Sequence, residues 1–289
     1  MSAGARAEST VTLTVTEYTD PACPWAWGSE PKFRRLRELL SAAGDGVVWR
    51  SVYGILFDEG EQPAPDPAAE AAWYLEELRE ISGHTGAPFP ERLEWVAATS
   101  WPMALAAKAA ELQGPRVTEA VLHRLRETTF VDGRPADTQE RVLAALGSLA
   151  GGTTAAGTMA GGPLAGGPLA GGSLPETGDG ASLDLERLAR DAASPEILAA
   201  VRRDYAETRS PCPEVFAITE QTRHPGRAKP LGESPDDGYR YALPTLVFEG
   251  AGGRAVAAGW RSPREYLDAV RRAAPSLSEL CDQASRASR

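Results

Sequence analysis

The sequence predicts an α/β fold with an α-helical block set into its middle. Three observations predict it. The chain opens with a strand, a helix and a second strand. It closes with a strand pair and a helix. The long stretch between carries helical periodicity alone.

In the opening unit, Val11, Leu13 and Val15 alternate with Thr12, Thr14 and Thr16, the period of a half-buried strand rich in β-branched residues. Asp20-Pro21 breaks it. Phe33, Leu36 and Leu40 then recur at helical spacing among Arg34, Arg35, Arg37 and Glu38. Gly44-Asp45-Gly46 makes a turn, and Val47 to Tyr53 reads as a second strand, parallel to the first as a βαβ unit requires. Glu59 to Pro67 is acidic and proline-rich, the composition of a surface loop.

Helix dominates from Pro67. Ala68 to Ile81 is the first, with Trp73 and Tyr74 expected in the core. Ser100-Trp101-Pro102 reads as a cap and an early helical proline opening a run to Leu112. Val117, Val121, Leu122 and Leu125 mark the next apolar face, and Val142, Leu143, Leu146 and Leu149 the one after. Residues 151–181 contain three copies of a five-residue unit, Ala160 to Leu164, Ala165 to Leu169 and Ala170 to Leu174. Eleven of these 31 residues are glycine, too many to order against the backbone entropy, so a flexible surface insertion is expected. Helices resume at Leu183 and at Ser194-Pro195, and Ser210-Pro211-Cys212-Pro213 stops the second. Arg223 to Gly238 reads as loop. Leu243 to Glu249 is a strand led by a proline, Ala251-Gly252-Gly253 a hairpin turn, and Arg254 to Ala258 its partner. Ser262-Pro263-Arg264-Glu265 is a capping box opening a helix. The expected division is 11–66 and 210–275 for the two parts of the sheet domain, with 67–209 as the helical insertion.

Cys23 is the candidate reactive residue. It sits where the first strand hands over to a helix, with Pro24 at the first helical position. Free amides and the dipole at a helix N-terminus favour a thiolate. Trp25 and Trp27 give it an apolar surround. The alternative from placement alone is an inert buried cysteine. Cys212, between two prolines on an expected exposed loop, and Cys281, in an expected terminal helix, read as incidental thiols.

The stretch Thr19-Asp20-Pro21-Ala22-Cys23-Pro24-Trp25-Ala26-Trp27 resembles the active-site stretch of the DsbA-like branch of the thioredoxin-fold superfamily. Many relatives there carry C-x-x-C. This chain keeps the nucleophile position at Cys23 and has Ala26 where the second cysteine would be. The resemblance implies a thioredoxin-like fold interrupted by the helical block. It also implies a cis-proline loop opposite the cysteine, which falls on Leu243-Pro244-Thr245 and would hold an extended substrate chain through backbone groups. The implied activity is thiol-disulfide exchange through a single cysteine, on a disulfide-containing protein or a small-thiol substrate. A low-molecular-weight thiol would serve as co-substrate, with no resident cofactor. Two rivals remain: a low-molecular-weight-thiol transferase or isomerase related to the kappa-class glutathione transferases, and a non-catalytic adaptor using the same groove.

Composition narrows the partners. A formal net charge of −10 argues against nucleic acid and anionic membranes, which need a basic face. Three cysteines are too few for a disulfide framework. With no apolar signal stretch and no window long enough to span a membrane, the expected location is the cytoplasm. No C-x-x-C or H-x-x-x-H pair occurs, and His84, His123 and His224 are scattered, so no zinc site is expected. The sequence identifies no cofactor-binding residues and no oligomeric state. Replacing residues 151–181 with a short linker should leave the melting temperature nearly unchanged, because closure entropy varies slowly with loop length; a large fall in a thermal scan would show that the repeat packs.

Overall fold

The computed structural model describes residues 12–58, 65–150 and 182–287. Most of the expected loop at Glu59–Pro67 and all of the repeat at 151–181 lie outside them. Two compact units emerge, one of residues up to Gly54 together with those from Arg203 onward, the other from Ile55 to Arg202.

The first unit is built on a four-stranded sheet in the order β2-β1-β5-β6. β1 (Leu13–Thr19) and β2 (Val47–Tyr53) run parallel, joined by α1 (Pro24–Ser41), with Leu13 opposite Val47 and Thr19 opposite Tyr53. β5 (Thr245–Gly250) lies antiparallel on the other side of β1, with Tyr18 opposite Thr245, and forms a hairpin with β6 (Gly253–Ala258). The opening βαβ unit and the later hairpin therefore meet at β1. α9 (Pro263–Ala273) and α10 (Ser278–Ala287) follow. The core joins Leu13 and Val15 of β1, Phe33, Leu36 and Leu40 of α1, Leu246 and Phe248 of β5, and Tyr266, Val270 and Cys281 of the last two helices. Phe33 meets Tyr266 edge-on, ring centroids 5.4 Å apart. The Ser262–Glu265 capping box is complete at the start of α9.

β1 was expected to be half-buried, yet it is buried from Val15 to Thr19. Its central position explains this. The second face is covered too: Tyr18 stacks on Tyr241 at 3.9 Å and donates to Glu207 Oε1 at 2.9 Å, and Arg50 reaches both Thr16 and Glu207. Glu17, wholly buried, accepts from Arg37 of α1 and, at 3.1 Å, from Trp49 Nε1 of β2.

Between these halves come α2 (Pro67–Thr85), α3 (Trp101–Ala110), α4 (Pro115–Phe130), α5 (Gln139–Ala150), α6 (Leu185–Ala192) and α7 (Pro195–Thr208). α3 is the inner helix of its unit and packs against α4, α5 and α6. Ala104, Ala106, Ala107, Ala109 and Ala110 are all buried, and such small side chains let neighbouring helices come close. α7 crosses the division between units. Its last turn belongs with the sheet, because Asp204 Oδ2 accepts from the Tyr53 amide and Glu207 pairs with Arg50. That is why the division falls at 202/203 rather than 209/210. Beyond 275 the chain stays with the sheet unit through Cys281, which sits in the core.

Local details also differ from expectation. Asp66 caps α2 by accepting from the Ala68 and Ala69 amides at 3.1 and 3.0 Å, whereas Ser100 makes no side-chain cap for α3; its amide instead donates to Phe57 O at 2.9 Å. Trp73 is 63% exposed. The buried stripe of α2 is Ala71, Leu78 and Ile81, and Trp73 falls off it. After Ser210 comes a short helix, α8 (Pro213–Phe216), and the stretch Arg223–Gly238 read as loop contains β3 (Lys229–Pro230), which pairs with β4 (Tyr239–Arg240) just beyond it. Among the described residues no helix is long and apolar enough to cross a membrane. Phe33→Ala should cost about 3–5 kcal/mol in urea unfolding, whereas Trp73→Ala should change stability by less than about 0.5 kcal/mol; equal losses would overturn this placement of the core.

Candidate functional site

The site forms where the C-terminal end of β1 meets the start of β5. After β1 the chain makes a tight turn: Asp20 Oδ1 accepts from the Ala22 amide at 2.7 Å, and Asp20 O accepts from the Cys23 amide at 3.2 Å. Cys23 is the N-cap residue of α1, its carbonyl receiving the Trp27 amide at 3.0 Å, and Pro24 occupies the first helical position, where no amide is needed. The Cys23 side chain makes no capping hydrogen bond to the helix. Its thiol lies 3.4 Å from Leu243 O and donates to it.

Leu243-Pro244 is a cis peptide bond. The loop is tied down on each side. Thr245 Oγ1 donates to Ala242 O at 2.7 Å, and the Gly259 amide donates to Pro244 O at 2.9 Å. Leu243 packs against Gly54, where a Cβ would come within 2.8 Å of its side chain. The structure thus brings together Cys23, Pro24, Trp25, Ala26, Leu243, Pro244 and Thr245. The Thr245 hydroxyl is engaged within the loop rather than turned toward a ligand.

Cys23 itself is only 3% exposed. The Leu243 carbonyl brings in a residue that sequence reasoning set aside. Trp25 stacks on His224, ring centroids 4.7 Å apart and nearly parallel. His224 Nε2 lies 2.8 Å from the same Leu243 O that receives the Cys23 thiol. A carbonyl oxygen only accepts, so Nε2 carries the hydrogen. Gly226 and Gly259, both at positive φ, let the two loops touch; a Cβ on Gly226 would sit 2.2 Å from the Ala258 backbone. Trp260 N donates to His224 O, and Arg261 donates to Pro225 O and Ala258 O. The only sequence trace of this arrangement is the His224-Pro225-Gly226 turn signal, which marks a bend and says nothing of where it docks.

Burial pushes the His224 ring down to about pKa 4, and Lys229, Arg240 and Arg261 push the same way against the bond to Leu243. The imidazole is therefore neutral through the physiological range. Burial also raises the thiol pKa of Cys212 and of Cys281. None of the three cysteines is in a disulfide. Ala26, three residues after Cys23, is fully buried. Among the described residues no cluster of His, Cys, Asp and Glu is suited to a metal.

A cysteine capping a helix beside a cis-proline loop, on a sheet split by a helical block, defines a thioredoxin-fold protein of DsbA-like architecture. Residues 17–152 match the family model described as Thioredoxin. The chain is 31% identical over 149 residues to the ClpXP adapter protein SpxH of Halalkalibacterium halodurans, covering 48% of this chain; it spans only 45% of the length of that curated relative. Among solved structures it matches one from Nitrosomonas europaea whose assignment as a protein disulfide isomerase is provisional, at TM-score 0.58 and 14% identity over 93% of this chain and 98% of the other. It also matches the cytosolic disulfide reductase DsbM of Pseudomonas aeruginosa at TM-score 0.51 and 16% identity, covering 94% and 97%. At such identities these likenesses establish the fold.

The buried histidine has a consequence for stability. Its folded-state pKa lies below the ordinary 6.5, so between about pH 6.5 and 4 the unfolded chain binds a proton that the folded chain refuses. Stability is therefore lost as pH falls through that window, by up to roughly 3 kcal/mol. Urea midpoints measured from pH 7 to 4 should fall, and His224→Gln should flatten the fall; an undiminished slope in the variant would assign it to other groups.

Proposed function

We propose that this protein is a thiol-disulfide oxidoreductase working through Cys23 alone, with a low-molecular-weight thiol as co-substrate. The observation that carries the reading is the Cys23 sulfur at the head of α1, 3.4 Å from the carbonyl that precedes the cis-proline. In the reducing direction, the Cys23 thiolate attacks one sulfur of a substrate disulfide. The Cys23–substrate S–S bond forms as the substrate bond breaks, and the second substrate sulfur leaves as a thiolate and takes a proton. Ala26 offers no thiol to resolve the adduct. A small thiol then attacks Cys23 Sγ, releasing the reduced substrate, and a second small thiol frees Cys23 as the small-molecule disulfide departs. The balance is one substrate disulfide and two small thiols in, one dithiol and one small disulfide out.

Cys212 and Cys281 are poor resolving groups in this scheme, since burial disfavours the thiolate of each. Trp25, two residues after Cys23, is half-buried and stacked on His224. An extended substrate segment would lie along the Leu243-Pro244-Thr245 loop. The cytosolic description of DsbM and the absence of any disulfide among the three cysteines support a reducing compartment, the cytoplasm.

A second reading, favoured by the match to an adapter protein, is that the same groove binds a protein partner without turnover. One set of assays separates the two. Cys23→Ser should abolish reduction of a disulfide substrate, and in the intact protein a mixed disulfide at Cys23 should accumulate until a small thiol is added. Adduct that clears unaided would mean that another cysteine resolves it. Turnover retained in Cys23→Ser would sink the oxidoreductase reading. Partner capture unaffected by alkylation of Cys23 would favour the adaptor.

A further inference from the structure

We infer that His224 is a positioning residue for Cys23: by donating to the Leu243 carbonyl it weakens that oxygen's hold on the thiol proton and so favours the thiolate. One oxygen serves two donors, the Cys23 thiol at 3.4 Å and His224 Nε2 at 2.8 Å. A hydrogen bond made by the protonated form of an acid opposes its ionisation. Here that bond goes to an acceptor already engaged by a shorter partner.

The second part of the argument concerns what happens when the thiol proton leaves. Leu243 is buried, and a buried carbonyl stripped of its donor carries a desolvation penalty. With His224 in place the carbonyl keeps one donor when Cys23 is a thiolate, and equally when it is held in a mixed disulfide. Without it, both states would leave Leu243 O dependent on whatever enters the site. The histidine thus lowers the cost of every form of the sulfur that lacks S–H.

The geometry holds the ring in place for this. Trp25 covers one face, the Trp260 amide and Arg261 fix the loop on either side, and Gly226 allows its close approach. The charged groups acting on the ring are Lys229 of β3, Arg240 of β4 and Arg261 after β6, all of which oppose a second proton. On the cysteine's own side of the site, the Asp20 carboxylate is turned to the Ala22 amide. The donor is therefore constant across the range in which a cysteine titrates.

The inference rests on Cys23 being the reactive thiol of the proposed function, but its readout is the ionisation of one sulfur and needs no turnover. Cys23 alkylation by iodoacetamide would be followed by mass spectrometry of the Cys23 peptide across pH, in the unmodified protein, His224→Phe and His224→Gln. Phenylalanine keeps an aromatic face for Trp25 and loses the N–H; glutamine keeps an N–H and loses the ring. His224→Phe should raise the midpoint by roughly 0.5–1 pH unit, and His224→Gln should stay near the unmodified value. The plateau rate at high pH reports access to the sulfur separately. An unchanged midpoint in His224→Phe, or equal shifts in both variants, would overturn the inference. Should either variant unfold, the unmodified protein still decides: the His224 ring-nitrogen NMR signals should shift with the Cys23 midpoint, and signals indifferent to that titration would refute the coupling. Failure of Cys23→Ser to abolish turnover would sink the oxidoreductase reading and leave this coupling standing.

Discussion

The site depends on one backbone oxygen. Leu243 O faces the sulfur of Cys23 and the ring of His224 at once, and it can do so because a carbonyl has two lone pairs. The fold supplies the reason that oxygen is there. β5 pairs with β1 in a register that sets Thr245 opposite Tyr18, so the residues before Thr245 emerge level with the turn that follows β1. Segments more than 200 residues apart in sequence therefore meet at one end of a sheet. Thr245, Gly259 and Gly54 then fix the loop from three directions, through a side-chain hydroxyl, a backbone amide and a vacancy where a Cβ would clash.

Such a site asks for a rigid platform, and the centre of the sheet provides it. β1 is flanked by strands on both edges and covered on both faces, one by α1, α9 and α10, the other by Tyr241 and the end of α7. Most polar groups on the strand are shut off from water and need partners inside. Glu17 is paired with Arg37 and Trp49, and Tyr18 with Glu207. Breaking one partner would leave an uncompensated buried charge, which is costlier than the pair itself is stabilising. The polar residues of β1 thus constrain its neighbours as firmly as the apolar ones do.

The strands, the helix after Cys23 and the proline-led strand were legible because period, turn residues and capping boxes are local signals. The helical block was legible for the same reason. Burial was less so: Thr-rich alternation in β1 suggested one wet face, and only the long-range cover of Tyr241 and α7 removes it. Trp73 shows the converse, since an aromatic residue beside an apolar stripe need not lie on it. In the site, Cys23 and Pro244 stood out by chemistry and by family resemblance. His224 did not, because its role comes from docking a loop against the turn after β6. A single histidine in a Pro/Gly-rich stretch gives no hint of such an encounter, and one-dimensional spacing to Cys23 carries no information about it.

The single cysteine changes what the surroundings must accomplish. In a site with two neighbouring thiols, the second can release a trapped substrate, so the first need not be open to solvent for long. Ala26 removes that route, and its methyl is fully buried, so a distant thiol would have to displace packed structure to take its place. Cys281 is locked in the core and Cys212 is half-buried beside Tyr241, each with burial opposing the thiolate. On the proposed single-cysteine reading, release therefore falls to a small thiol from solution. Cys23, only 3% exposed, lies beside the Trp25–His224 ring stack, so such a thiol has a narrow approach. That stack contributes about 0.5–1.5 kcal/mol, far less than the sheet pairing that brings Cys23 and Leu243 together.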